Sequence, residues 1–269
     1  MSLRDNSPRI LSIANQKGGV GKTTTAINLG AALAMRERRV LLIDLDPQGN
    51  ASTGLGVSRE TRGRNTYDLL LSSSDPRDIA QATGIDRLDI IPATMDLSSA
   101  DSELMQSARR VAHLRNALRR ERIPYDYVLI DCPPALSLLT INALVSSEAV
   151  IVPLQAEFFA LEGLSQLLLT IREIRDTANA DLRVEGILLT MFDKRNNLCL
   201  QVDQDARSNL GDLVFQTTIP RNVRLSEAQS YAMPVMQYDP TSRGAIAYRS
   251  LASELLQRHR GRADAYAGS

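Results

Sequence analysis

Short aliphatic runs recur along the chain at Ile10 to Ala14, Val40 to Asp44, Leu88 to Pro92, Tyr127 to Asp131, Ala149 to Pro153 and Val184 to Thr190. Each is short and rich in aliphatic or β-branched residues, so each predicts a buried strand. Longer stretches between them have a helical period. The clearest is Leu161, Leu164, Leu168, Ile171 and Ile174, where apolar residues fall at three- and four-residue steps on one face. Alternating strand and helix predicts an α/β fold: one domain with a mainly parallel, twisted sheet flanked by helices. Thr53 to Asp86, rich in Ser, Gly, Arg and Asp, predicts a surface excursion with one short helix near Tyr67 to Leu71. The expected organisation is a flexible N-terminus (1–8), one domain (9–259) and a small, polar, frayed tail (260–269).

Composition narrows the function classes. The 269 residues are 43% hydrophobic, 4% aromatic and 23% charged, an ordinary globular mixture, and 31 Lys plus Arg balance 31 Asp plus Glu. No whole-molecule field argues for nucleic acid or an anionic membrane, so any such partner must meet a local patch. Cys132 and Cys199 are far apart and in no CxxC pair, which leaves neither a disulfide framework nor a four-thiolate metal site. The polar start, Met1 to Pro8, lacks the apolar core of a secretory signal, so a cytoplasmic location is expected. Ala135 to Leu154 is interrupted by Asn142, Glu148 and Pro153, which fits a core helix followed by a buried strand better than a membrane span.

The chemistry begins where the first strand runs into Gln16-Lys17-Gly18-Gly19-Val20-Gly21-Lys22-Thr23-Thr24 and then into an alanine- and leucine-rich helix. Strand, glycine loop and helix make the context of a P-loop NTPase. Glycines let backbone N–H groups turn onto phosphates, the helix N-terminus favours negative charge, Lys22 reaches the β and γ phosphates, and the Thr23 hydroxyl takes Mg²⁺. Magnesium and ATP are therefore the expected cofactors. The strict motif asks for glycine where Gln16 stands, and a second lysine, Lys17, follows it. Two further strands end in carboxylates: Val40 to Asp44, followed by Asp46-Pro47-Gln48-Gly49-Asn50, and Val128 to Asp131, followed by Cys132-Pro133-Pro134. Strand carboxyl ends are where α/β sheets hold ligands, and alternation turns Asp44 and Asp46 the same way. Cys132 reads as a small core residue.

Lys17-Gly18-Gly19-Val20-Gly21-Lys22-Thr23 resembles the deviant Walker A motif of the ParA/MinD group of P-loop ATPases. The resemblance implies that Lys17 contacts the phosphates of a second subunit, making ATP the link of a sandwich homodimer. Asp46-Pro47-Gln48-Gly49-Asn50 resembles the group's switch segment, which implies that Asp46 orients the attacking water and that Asp44 then sits nearer Mg²⁺ and Thr23 as an outer-shell partner. Val128 to Pro134 looks like its Walker B element, with Asp131 on the metal's water shell. Val152 to Gly163, Leu189 to Asp193 and Ile219 to Ala228 are similar to the chromosomal ParA/Soj type, and the likeness runs from about Arg9 to His259. That type implies slow, partner-stimulated ATP hydrolysis, non-specific binding of double-stranded DNA, a ParB-type partner and a nucleoid location. It also implies that Met191, Pro220, Arg221 and Asn222 hold adenine, and that Arg195 and Arg224, helped by Lys194, contact DNA. The alternative is a MinD-like ATPase that cycles on membranes. That reading needs a C-terminal amphipathic helix with a basic and a bulky apolar face, whereas Leu251 to Arg262 reads as the last core helix and is followed by small residues. No membrane partner is expected.

Overall fold

The aliphatic runs become strands. In the computed structural model, which describes residues 7–72, 74–157 and 160–267, β1 (Arg9–Ile13), β2 (Val40–Asp44), β3 (Gln81–Ala82), β4 (Leu88–Ile91), β5 (Tyr127–Asp131), β6 (Ala149–Gln155) and β7 (Arg183–Thr190) form one sheet. Their order is β3-β4-β2-β5-β1-β6-β7. Every neighbouring pair is parallel except β3 with β4. This antiparallel edge was not expected, because Gln81–Ala82 is half-buried at most and carries no aliphatic run to announce it. Pro153 sits within β6 without breaking the ladder. Beyond Ile151 the strand pairs only with β7, so its missing N–H falls on the side that β1 has left.

Helices cover both faces, as double burial of the strands requires. On one face lie α1 (Lys22–Ala34), α2 (Asn50–Gly54), α10 (Val223–Ser230), α11 (Val235–Tyr238) and α12 (Arg243–Ala267). The other face carries α3 (Thr66–Leu71), α4 (Pro76–Ile79), α5 (Leu97–Met105), α6 (His113–Arg119), α7 (Leu138–Ser146), α8 (Ala160–Thr177) and α9 (Asn197–Leu210). Period-two alternation sends Leu42 and Leu129 into the first layer and Ile43 and Ile130 into the second. The apolar segment before Leu154 is α7 and then β6, a core helix followed by a buried strand.

Two expectations change. Thr53 to Asp86 is no surface excursion: Arg62, Asn65, Thr66, Leu69, Leu70 and Ile79 are buried within it. Its polar composition misleads because buried Arg62 is satisfied by carbonyl and hydroxyl oxygens of the neighbouring loops, donating to Val57 O, Gly49 O, Ala93 O and Thr53 Oγ1. The C-terminal positions expected as a frayed tail continue α12 as far as Ala267, held in part by Arg262, whose Nη1 lies 2.5 Å from the buried Glu185 carboxylate. Residues 1–6 and 268–269, which belong to the expected flexible ends, lie outside the described residues, as do Phe158 and Phe159.

Candidate nucleotide site

β1 delivers the chain into the glycine loop at the carboxyl edge of the sheet, and α1 leaves it. Gly19 and Gly21 have φ of 73° and 88°, a region that costs an L side chain energy, and a Cβ on Gly19 would meet nothing within 4 Å. The loop is therefore an open cradle of backbone. Gly21 caps α1 without any side-chain hydrogen bond, so the first N–H groups of the helix keep their capacity for an anion. The two lysines of the motif differ. Lys22 is buried and its Nζ donates to the Lys17 carbonyl at 2.9 Å, whereas Lys17 is about half exposed and its Nζ lies 2.8 Å from Glu157 Oε2. Gln16, which replaces the motif's first glycine, keeps a buried amide nitrogen with no hydrogen-bond partner.

Asp44 and Asp131 are direct register partners at the carboxyl ends of adjacent β2 and β5, and both are fully buried. Their surroundings separate them. Asp44 accepts the Ser52 hydroxyl at 2.6 Å, the Ser52 N–H at 2.8 Å and the Asp46 N–H at 3.2 Å. Burial pushes its carboxyl up to about 6, against those hydrogen bonds. Asp131 has two buried oxygens without a hydrogen-bond partner. Its carboxyl is raised well above the ordinary range, first by burial and then by the Asp44 charge, while Thr23 and Lys22 oppose the rise. Thr23 stands close enough to act on Asp131 but closes no hydrogen bond of ordinary geometry with it. Burial lowers Lys22, and the charges of Asp131, Cys132 and Asp46 counter it. Asp46 lies just past the strand, 8% exposed, with Oδ1 accepting the Gln48 N–H at 3.0 Å. Burial pushes the Cys132 thiol up, which suits an inert core residue.

These groups fit Mg-ATP. An unpartnered buried carboxylate beside a hydroxyl suits a phosphate-bound, partly hydrated Mg²⁺, and a lysine with an uncapped helix start suits the phosphates themselves. Among the described residues no group of three His, Cys, Asp or Glu side chains is arranged to hold a metal by itself.

The end of β7 closes the site. The Thr190 hydroxyl donates to the Val20 carbonyl at 2.8 Å, fastening the glycine loop to the strand that leads into Met191. Phe192 and Pro220 form a parallel bridge, and the Arg221 N–H donates to the Phe192 carbonyl at 3.2 Å. Met191, Pro220, Arg221 and Asn222 are thereby brought to one place beside the P-loop. The Asn222 side chain caps α10, whose Gln229 donates to Thr24 Oγ1 at 2.9 Å. Arg195 and Arg224 are on the surface, paired with Asp193 at 2.9 Å and with Glu227 at 2.7 Å; Lys194 is exposed.

Comparison with known proteins agrees with this geometry. A family model described as an AAA domain matches residues 8–184. The chain is 54% identical over 259 residues to the chromosome partitioning protein ParA of Caulobacter vibrioides, covering 96% of this chain and 97% of that protein. It is 52% identical over 247 residues to the sporulation initiation inhibitor protein Soj of Bacillus subtilis, covering 92% and 98%. The chain belongs to the ParA/Soj family. A solved structure of the Mycobacterium smegmatis protein named cobyrinic acid a,c-diamide synthase, with bound ADP and magnesium, superposes with a TM-score of 0.82 at 37% identity, covering 94% and 96%. ParA/Soj proteins are ATPases of the P-loop class, and nucleotide with Mg²⁺ is bound within this structural group.

Several residues that support the ParA/Soj site carry no motif signal. Ser52, Arg62, Glu157, Thr190 and Gln229 act through contacts between distant segments. Of these, Ser52 stands just past the Asp46 to Asn50 segment, and Glu157 and Thr190 lie within segments that resemble the ParA/Soj type, so each had a local hint of place though not of contact.

Proposed function

We propose that this chain is a DNA-partitioning ATPase of the chromosome-segregation type, in which two copies close over two ATP molecules. The ATP-joined dimer binds duplex DNA without sequence preference, and slow hydrolysis, accelerated by a ParB-type partner, releases it. The observation that carries the reading is the opposite disposition of the two loop lysines. Lys22 is turned into its own loop, in reach of its own nucleotide's phosphates. Lys17 projects to the surface beside them, in reach of a second subunit.

Within each site Gly18, Gly19, Val20, Gly21, Lys22, Thr23 and Thr24 cradle the phosphates. Thr23 and Asp131 would hold Mg²⁺ and its water shell, with Asp44 behind them, fixed by Ser52. When bound, the ion neutralises charge that develops on the phosphate oxygens. Asp46 orients the water for in-line attack, and Met191, Pro220, Arg221 and Asn222 hold adenine. A cytoplasmic, nucleoid-associated location follows from DNA binding. Membrane cycling is less well supported: Leu251, Ala252 and Leu255 of α12 are buried, and Arg258 stacks 4.3 Å over the Phe215 ring, so this face of the helix is occupied by the core. No helix among the described residues is long and apolar enough to cross a membrane.

Sizing of the wild type and Asp46→Ala with Mg-ATP and with Mg-ADP tests the reading. A dimer with ATP alone, persistent in Asp46→Ala, is expected; monomers under every condition would overturn it.

A further inference from the structure

Arginine is concentrated in one short stretch of this charge-balanced chain. Between Arg109 and Arg122 there are six arginines and one acidic residue, Glu121, and Glu121 pairs with Arg77 from outside the stretch. Such a run on a convex helix would be a solvated face. Here it walls a cavity of about 450 Å³ that includes Arg109, Arg119, Arg120 and Asn116, together with apolar Leu69 and Leu70 at the end of α3. No aspartate or glutamate among the described residues lines it. A larger cavity of about 990 Å³ shares Arg119 and Arg120, but Glu121, Glu148 and Asp181 are among its walls. The larger cavity sets four arginines against three acidic residues and the smaller has three arginines and no acidic lining residue, which marks the smaller as the one suited to an anion.

His113 fixes its shape. Its Nδ1 lies 3.0 Å from the Leu70 carbonyl and its Nε2 2.9 Å from Ser107 Oγ. A carbonyl only accepts, so Nδ1 carries the proton, and in the neutral ring Nε2 accepts from the serine hydroxyl. With both ring nitrogens committed, the donors the cavity offers a ligand are the Arg109 and Arg119 guanidinium groups and the Asn116 amide. Guanidinium forks match phosphate oxygens in pairs, the volume is that of an organic-ligand pocket, and Leu69 and Leu70 offer surface to a less polar portion. The P-loop residues, Arg195 and Arg224 take no part in this cavity. The same α3 reaches the nucleotide side of the sheet, where the Thr66 hydroxyl donates to the Asp44 carbonyl at 2.7 Å.

We propose that this cavity is a second anion site, distinct from the ATP site, that takes a phosphate monoester, either free phosphate or phosphate carried on a nucleoside. The chain supplies its own reporter, because it contains only two histidines, His113 in the cavity wall and His259 buried on the opposite face of the sheet. With Mg-ADP saturating the P-loop and ionic strength held constant, GMP and inorganic phosphate are titrated separately while the two imidazole C–H resonances are followed by NMR. The His113 resonance should shift saturably and that of His259 should stay still. Arg109→Gln with Arg119→Gln should weaken the response about tenfold or more while ADP affinity is retained. A tighter response to GMP assigns the site to a nucleoside-borne phosphate, and an equal response assigns it to phosphate alone. A wild-type shift that does not saturate, or that sodium chloride reproduces, overturns the proposal. So does a response unchanged in the double variant. Movement of His113 by duplex DNA alone would instead make these arginines a polynucleotide surface.

Discussion

Lys17 Nζ lies 2.8 Å from Glu157 Oε2 of the same chain, and both side chains are 47% exposed. An exposed ion pair of this kind is worth about 0–1 kcal/mol, so it parks the lysine without locking it. In the proposed dimer the pair would exchange readily for the phosphates of the second subunit. Lys17→Ala should therefore bind Mg-ATP as a monomer and fail to form the ATP dimer, whereas Lys22→Ala should weaken ATP binding itself. Nucleotide titration and sizing of both variants check this, and normal ATP dimers from both would discard the sandwich.

Asp46 sits past the end of β2, its carboxylate accepting the Gln48 N–H and close enough for its charge to act on Lys22, but it is not part of the glycine loop whose N–H groups face the phosphates. Asp46→Ala should keep Mg-ATP binding and dimerisation and lose roughly 10²–10⁴-fold in hydrolysis, the usual contribution of a base or water-positioning group. Phosphate release with the partner present measures it. Unchanged stimulated turnover would move the role elsewhere, most plausibly to Asp44.

The sheet and the phosphate loop were legible because each rests on a local pattern. Continuous aliphatic runs announced six strands, and glycines at Gly18, Gly19 and Gly21 announced the loop. The edge strand Gln81–Ala82 was invisible because two half-buried residues have no period. Two supports of the site were hidden for another reason: Thr190 on Val20 and Gln229 on Thr24 are contacts of 170 and 205 residues' separation, and single-sequence patterning carries no information across such distances. Polar composition from Thr53 to Asp86 pointed to the surface, and Arg62 defeats that inference by finding enough acceptors to be buried.

Arg62 is 5% exposed, and its guanidinium holds together the loops around Gly49, Val57 and Ala93. Removing it leaves several buried acceptors unpaired. Arg62→Ala should cost roughly 2–4 kcal/mol of stability and loosen the segment that carries Asp46. Urea unfolding measures the first effect; a loss below about 0.5 kcal/mol, the range of an ordinary surface substitution, would show that water replaces the side chain freely.

Glu185 is fully buried beneath α12, with Arg262 at 2.5 Å and Arg183 at 3.5 Å. Burial works against its ionisation, but His259 and Arg262 hold its carboxyl down at about 2 from an ordinary 4.5. The His259 contact is 3.4 Å, and neither atom closes a hydrogen bond across it, so Arg262 is the stronger hold. A carboxyl depressed on folding stabilises fully above its unfolded pKa and loses that contribution as pH falls toward the folded value, here on the order of 3 kcal/mol. Asp44, raised to about 6, works in the opposite sense, so the wild type alone does not isolate the effect. The stability difference between wild type and Glu185→Gln should be full at pH 7 and narrow from about pH 5 toward pH 3. A difference independent of pH would reduce Glu185 to a packing role.

DNA binding by a chain with 31 basic and 31 acidic residues must rest on a local patch. From Arg183 to Arg262 there are eleven Lys or Arg against eight Asp or Glu, an excess too small to act as a field. The two proposed contacts are moreover paired within the chain, Arg195 with Asp193 at 89% exposure and Arg224 with Glu227 and Asp239 at 47%. Surface pairs contribute little, so a guanidinium loses little in turning from carboxylate to phosphate. In the proposed assembly one subunit would offer a small patch, and two subunits joined by ATP would double the phosphates neutralised on one duplex, so binding should depend strongly on nucleotide. Arg195→Ala or Arg224→Ala should weaken binding equally on all duplex sequences and lower the salt slope by about one unit per lost contact, with dimerisation and basal hydrolysis intact. Lys194→Ala should have a smaller effect in the same direction. Salt titration of duplex binding with ATP and with ADP decides the matter: tight binding by the double arginine variant, or equal binding in ADP, would remove both arginines from the interface.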